Sequence, residues 1–247
     1  MVVPATTVYL LFAIALAGGF LLTTAVALRE TGYTRKMVLI ASIPAISMSI
    51  AYVLMSLEVA TVETVGREQS VMRFFGYTFG LLSVAYLVSE AIDCSRLQFG
   101  KLATALVLTP WLSFVSWLFT GPVESFLTLS SLLIFGYAGY LLFGPLNRVA
   151  RTVGGQRQLF FAKLRNLFVL CYGTLVLMSA LSEQVLGLTD TFVATLGAGY
   201  ADAILMYGIA LLVITSRDIF QKTLDRGDGD ERSRTTAESA LDPAGTD

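Results

Sequence analysis

Along most of this chain the apolar residues do not alternate with polar ones but run on unbroken. Seven apolar stretches can be drawn, at residues 6–28, 37–57, 71–92, 102–119, 125–146, 167–186 and 191–215. A bilayer core about 30 Å thick is crossed by roughly 20 helical residues rising about 1.5 Å each. Each stretch therefore predicts one membrane-spanning helix, and the seven together an all-α bundle. The first has no basic residue before it and outruns a signal-peptide core, so it is read as a retained helix. Past Phe220 the apolar pattern stops. Residues 1–220 are expected to form the transmembrane domain and 221–247 a disordered acidic cytoplasmic tail; a solvated tail and a docking segment both fit its composition.

Composition agrees with the pattern and narrows the chemistry. Of 247 residues, 55% are hydrophobic and 14% charged, too much apolar surface for a soluble domain to cover. Histidine is absent, which removes the commonest metal ligand and general base. Cys94 and Cys171 fall in separate segments without the spacing of a metal site or a disulfide. No metal site is expected, and with no nucleophile beside a base, no enzyme. Neither is a nucleic-acid partner. The first, third and fifth connections hold ten basic residues, Arg29, Arg35, Lys36, Arg96, Lys101, Arg148, Arg151, Arg157, Lys163 and Arg165, whereas Arg67 is the only one in the other three. Cytoplasmic loops collect Lys and Arg, so the N-terminus is expected outside the cell membrane and the C-terminus inside.

Two charges lie well within the apolar stretches, Arg73 in the third and Asp202 in the seventh. A charge at the bilayer centre costs about 2.5–3.5 kcal/mol on insertion scales and so is generally paired and turned inward. Opposite signs on two helices predict mutual neutralisation, and Tyr52 in the second segment is placed to donate its hydroxyl to the carboxylate. A proton or ligand site and a structural clamp both fit this trio. Glu90, one turn from the end of the third segment beside Asp93, is read as a residue at headgroup level, with a proton relay as the other reading.

Several segments then agree in order and spacing with one known family. The second reads Ala51-Tyr52-Val53-Leu54-Met55, the fifth ends Tyr140-Leu141-Leu142-Phe143-Gly144-Pro145, and the sixth enters through Lys163-Leu164-Arg165-Asn166-Leu167. The seventh reads Tyr200-Ala201-Asp202, followed by Gly208 and Ser216-Arg217-Asp218-Ile219-Phe220. Over residues 8–220 the chain resembles the microbial (type 1) rhodopsins, most closely the haloarchaeal bacteriorhodopsin and sensory rhodopsin-like members. That resemblance implies seven helices around a retinal held as a Schiff base by a lysine four residues after an aspartate. Asp202 matches this aspartate, Arg73 the arginine of the third helix and Tyr52 the tyrosine bonded to the aspartate.

The rest of the family's site is missing. The lysine position is Met206, and the chain's only lysines are Lys36, Lys101, Lys163 and Lys222, at helix ends or in the tail. The helix 3 counterion position is Gly76, its neighbouring tryptophan Tyr77, and the proton-donor position Leu87. The aromatic cage of the sixth helix reads Tyr172, Leu175, Val176 and Ser179, and the fifth-helix tryptophan is replaced by Leu127. Trp111 and Trp117 both sit in the fourth segment, away from that cage. Gly76 and Gly80 lie one turn apart in a small-xxx-small pattern that lets a neighbouring helix approach.

Gly76, Tyr77, Gly80, Tyr172, Leu175, Ser179 and Met206 thus outline a vestigial retinal pocket, either collapsed and repacked or left open for another apolar ligand. No cofactor is expected, and retinal is not expected to bind covalently. The expected function is that of an opsin-like membrane protein without photochemistry, a regulatory, signalling or interaction subunit with a transducer-like or homo-oligomeric partner. A non-covalent binder of retinal, a carotenoid or another isoprenoid is the second reading, and a light sensor or light-driven ion pump the third.

Overall fold

A computed structural model describes residues 4–64, 67–181, 188 and 190–220, without the side chains of Arg67, Glu68, Ser179, Ala180, Leu181 and Thr191. The helices are α1 (Ala5–Ala27), α2 (Gly32–Ser56), α3 (Met72–Ile92), α4 (Arg96–Ser116), α5 (Pro122–Phe143), the short α6 (Pro145–Ala150), α7 (Gly155–Leu181) and α8 (Thr191–Thr215). With α5 and α6 counted as one span, seven helices are long and apolar enough to cross a membrane. The tail expected at 221–247 lies outside the described residues.

Several helices are longer than their apolar stretches. α2 starts at Gly32 rather than 37, α4 at Arg96 rather than 102, and α7 at Gly155 rather than 167. Hydropathy reports the hydrocarbon core, while backbone hydrogen bonding carries a helix on into the headgroup layer until a cap stops it. At α4 the cap is a reciprocal pair: Ser95 Oγ accepts from the Gln98 amide, and the Ser95 amide donates to Gln98 Oε1 at 3.0 Å. At α8 the Asp190 carboxylate accepts from the Val193 amide at 2.7 Å. α4 also ends at Ser116, short of the expected 119.

Between α2 and α3 the hydropathy pattern gave no element, yet strands β1 (Thr61–Thr64) and β2 (Arg67–Ser70) pair antiparallel, with Thr61 opposite Ser70 and Thr64 opposite Arg67. The pairing satisfies the backbone of a loop that would otherwise be unpaired at the membrane surface.

Consecutive helices pack side by side from α1 to α5, and α8 closes the ring against α7, α1 and α2. The core runs through Leu16, Met37, Met48, Tyr52, Leu87, Phe160, Phe161 and Phe168, all nearly inaccessible. The outward faces stay apolar, as on α1, where Leu10, Leu11, Ile14, Leu21 and Leu22 are exposed. Lipid tails are as apolar as these side chains, so small polar groups add adhesion between helices. Ser49 Oγ of α2 donates to the Ala13 carbonyl of α1 at 2.8 Å, Trp111 Nε1 of α4 to Thr78 Oγ1 of α3 at 2.8 Å, and Ser131 Oγ of α5 to the Thr109 carbonyl of α4 at 2.9 Å.

The end of the bundle away from the β-hairpin is held by ionic contacts. Arg157 of α7 donates from Nε to the Ala91 carbonyl, from Nη2 to the Glu90 carbonyl and from Nη1 to the Asp93 carboxylate, all within 2.8 Å. One guanidinium thereby covers carbonyls left open where α3 stops at Asp93, whose backbone is left-handed. Arg217 pairs with Glu30 at 2.9 Å. Glu90 is half-buried and accepts a hydrogen bond from Tyr33 of α2, which ties this end of α3 to α2.

Candidate functional site: a buried carboxylate shared by three helices

Asp202 lies near the middle of α8 and is fully buried. Its Oδ2 accepts from Tyr52 of α2 at 2.6 Å and from Arg73 Nη2 of α3 at 3.1 Å. The predicted trio is therefore assembled in space from three helices, with the ion pair direct. A fourth member completes it. The Tyr77 hydroxyl lies 3.0 Å from Oδ1 and 3.2 Å from Oδ2, and it also accepts from Arg73 Nε at 3.1 Å.

Tyr77 was expected as repacked core. It is buried, but its hydroxyl is the part that matters: one oxygen bridges the carboxylate and the guanidinium. The signal was present in the sequence, since Arg73 and Tyr77 are four residues apart and share a helix face. It was masked because the resemblance places a tryptophan there, and an indole N–H cannot accept from Arg73. The Arg73 guanidinium also lies over the Tyr77 ring, 5.6 Å from its centroid.

Chemically, two phenols and one guanidinium satisfy both carboxylate oxygens, and Arg73 balances the charge. Such a group binds three helices together.

Around this network the expected pocket positions are packed. Met206, one turn beyond Asp202, is buried, and its Cε comes within 3.8 Å of where a Cβ on Gly80 would stand. The same position on Gly80 is 3.7 Å from Pro44 of α2. A Cβ on Gly76 would meet Met48 Sδ at 2.7 Å and Ala51 Cβ at 3.0 Å, and Ser47 Oγ donates to the Gly76 carbonyl at 3.2 Å. The two glycines therefore let α3 close onto α2.

On the other side, Tyr172 of α7 stacks on Phe168 at 5.4 Å and lies 5.2 Å from Phe135 of α5. Leu175, Val176 and Leu127 are partly buried, and Leu87 is fully buried among apolar neighbours. The Ser179 side chain lies outside the described residues. Trp111 joins an aromatic group with Phe74, Phe75 and Phe114 at the α3–α4 contact. Cys94, between α3 and α4, donates to Ser89 Oγ at 3.3 Å, and burial pushes its thiol up.

Two grooves open on the flanks, of about 500 Å³ between α4 and α5 and about 270 Å³ between α2 and α3; Gly76 lines the second, and neither is lined by Asp202, Met206 or Tyr172. Among the described residues no group of His, Cys, Asp and Glu is arranged to hold a metal.

The chain is a multi-pass membrane protein with the seven-helix fold of the microbial rhodopsins. Among solved structures it is similar to a thermophilic rhodopsin from Rubrobacter xylanophilus, with a TM-score of 0.80 and 16% identity over 88% of this chain and 97% of that one. It is similar to the light-driven proton pump of Coccomyxa subellipsoidea, with a TM-score of 0.78 and 15% identity over 85% and 96%. The transmembrane domain of the Salpingoeca rosetta rhodopsin phosphodiesterase gives a TM-score of 0.78 and 17% identity over 86% and 84%. No family model matches the sequence, and no curated protein matches it.

Proposed function

We propose that this protein is an opsin-fold membrane protein without a covalently bound retinal, which acts by contact as a regulatory, signalling or interaction subunit. In this reading the end of the bundle that carries the basic connections faces the cytoplasm, which the loop charges support. The observation that carries the reading is Met206. It occupies the interior position one turn after Asp202 and is packed against α3 near Gly80. A thioether cannot form a Schiff base, and Lys36, Lys101 and Lys163 are exposed, within the first two to three turns of α2, α4 and α7.

The residues present do not fit a Schiff-base chromophore in other respects. At Gly76 a Cβ would crowd Met48 and Ala51 of α2, and glycine itself offers no carboxylate to serve as a counterion. The Tyr172–Phe168–Phe135 stack supports a filled interior between α5 and α7. In this reading Asp202 is retained for its contacts with Tyr52, Arg73 and Tyr77, and the protein is neither a pump nor an enzyme.

The test is reconstitution. The protein is expressed in membranes, given all-trans retinal, and examined by visible absorption and borohydride trapping. The expected result is no band red-shifted from free retinal and no adduct. A red-shifted band overturns the chromophore-free reading. A stoichiometric carotenoid or isoprenoid extracted with the native protein replaces it with the binder.

A further inference from the structure

The groove between α4 and α5 has the chemistry of a lipid site. About 500 Å³ in volume, it is lined at one end by Arg96 and Lys101 and along its length by Leu97, Leu108, Ile134 and Tyr137. Both helices span the membrane, so the groove opens to the bilayer rather than to bulk water. Arg96 is the first residue of α4, which places it at headgroup level. Leu108, twelve residues on, lies about 18 Å deeper at 1.5 Å per residue. The cations therefore sit at the mouth and the apolar wall runs inward at acyl-chain depth.

The two cations are also uncommitted. Among the described residues, neither Arg96 nor Lys101 makes an ion pair, and the nearby acid Asp93 is already engaged by Arg157 at 2.7 Å. The Ser95–Gln98 cap fixes the start of α4, which holds Arg96 in place beside the groove.

We propose that this groove binds one anionic glycerophospholipid, its phosphate at Arg96 and Lys101 and one acyl chain along Leu97, Leu108 and Ile134. Charge complementarity selects this occupant: a second copy of the chain would present its own basic end to the same two cations if packed in parallel. Basic pockets between spanning helices are a recognised form of lipid headgroup site.

The experiment uses the full chain purified in detergent, with bound lipid counted by native mass spectrometry against added phosphatidylglycerol or phosphatidylcholine. One tightly retained phosphatidylglycerol is expected, with a preference of about thirtyfold from two basic residues near the headgroup. R96Q/K101Q should bring the two lipids to within about twofold of each other. Gly100→Leu should weaken retention of both, because Gly100 lines the groove and a Cβ there meets nothing within 4 Å, so the added side chain fills the groove without disturbing the helix. Equal retention of the two lipids, or an undiminished preference in the double variant, overturns the proposal. So does displacement of the lipid by millimolar orthophosphate, which marks a soluble-anion site, or a dimer cross-linked through Leu97 and Tyr137.

Discussion

Asp202 and Tyr77 divide the work of the buried network unequally, and substitutions should separate them. Asp202→Asn removes the charge that Arg73 faces and turns an amide N–H₂ toward two hydroxyls. It should destabilise the bundle by about 2–4 kcal/mol, read as a lowered Tm in detergent. Tyr77→Phe leaves the carboxylate bonded to Tyr52 and Arg73 and should cost about 1 kcal/mol. Unchanged melting of Asp202→Asn would refute the clamp. At this scale the sequence was legible where chemistry is scarce: a lone Arg and a lone Asp in apolar helices had to be paired. Tyr77 escaped because a tyrosine on an interior face serves as well for packing as for bonding, and only the position of its hydroxyl distinguishes the two.

At the level of helices, the α2–α3 contact is set by glycine. A methyl on Gly76 runs into Met48, Ala51 and the Ser47 carbonyl, whereas a methyl on Gly139 of α5 meets nothing within 4 Å. The same substitution should therefore act in opposite directions. Gly139→Ala should raise stability by about 1 kcal/mol through helix propensity, and Gly76→Ala should lower it by about 1–3 kcal/mol through overpacking. Paired thermal melts check this; equal shifts would mean that α2 and α3 are not in close contact. The glycine spacing was visible in the sequence, but its partner helix was not, because a small-residue pattern permits an approach without naming what approaches. The helix starts at Gly32, Arg96 and Gly155 were missed for a related reason. Hydropathy ends where the hydrocarbon ends, and the caps that end helices lie beyond it.

For the molecule as a whole, the packing around Met206 acts as a unit. Met206→Lys introduces an amine one turn from Asp202 but does not open the space filled around Gly80, Tyr172 and Phe168. That single variant, supplied with retinal, should give at most a weak, unstable visible band. A strongly coloured and stable protein would show that the interior is open.

The sequence by itself determined that seven apolar segments cross a membrane, that a buried acid and a buried arginine must meet, and that no lysine lies within an apolar stretch. The first two follow from the expense of an unpaired charge or an unburied apolar surface, and the lysines are excluded only from the apolar stretches, since the helices themselves run on past Lys36, Lys101 and Lys163. The tertiary structure decided that Tyr77 joins the ion pair, that α2 fills the space beside Gly76, and that Arg157 ties α7 to the end of α3. Those depend on atomic distances between residues remote in sequence, and a hydroxyl, a thioether or a guanidinium gives no sign of its partner until the helices are brought together.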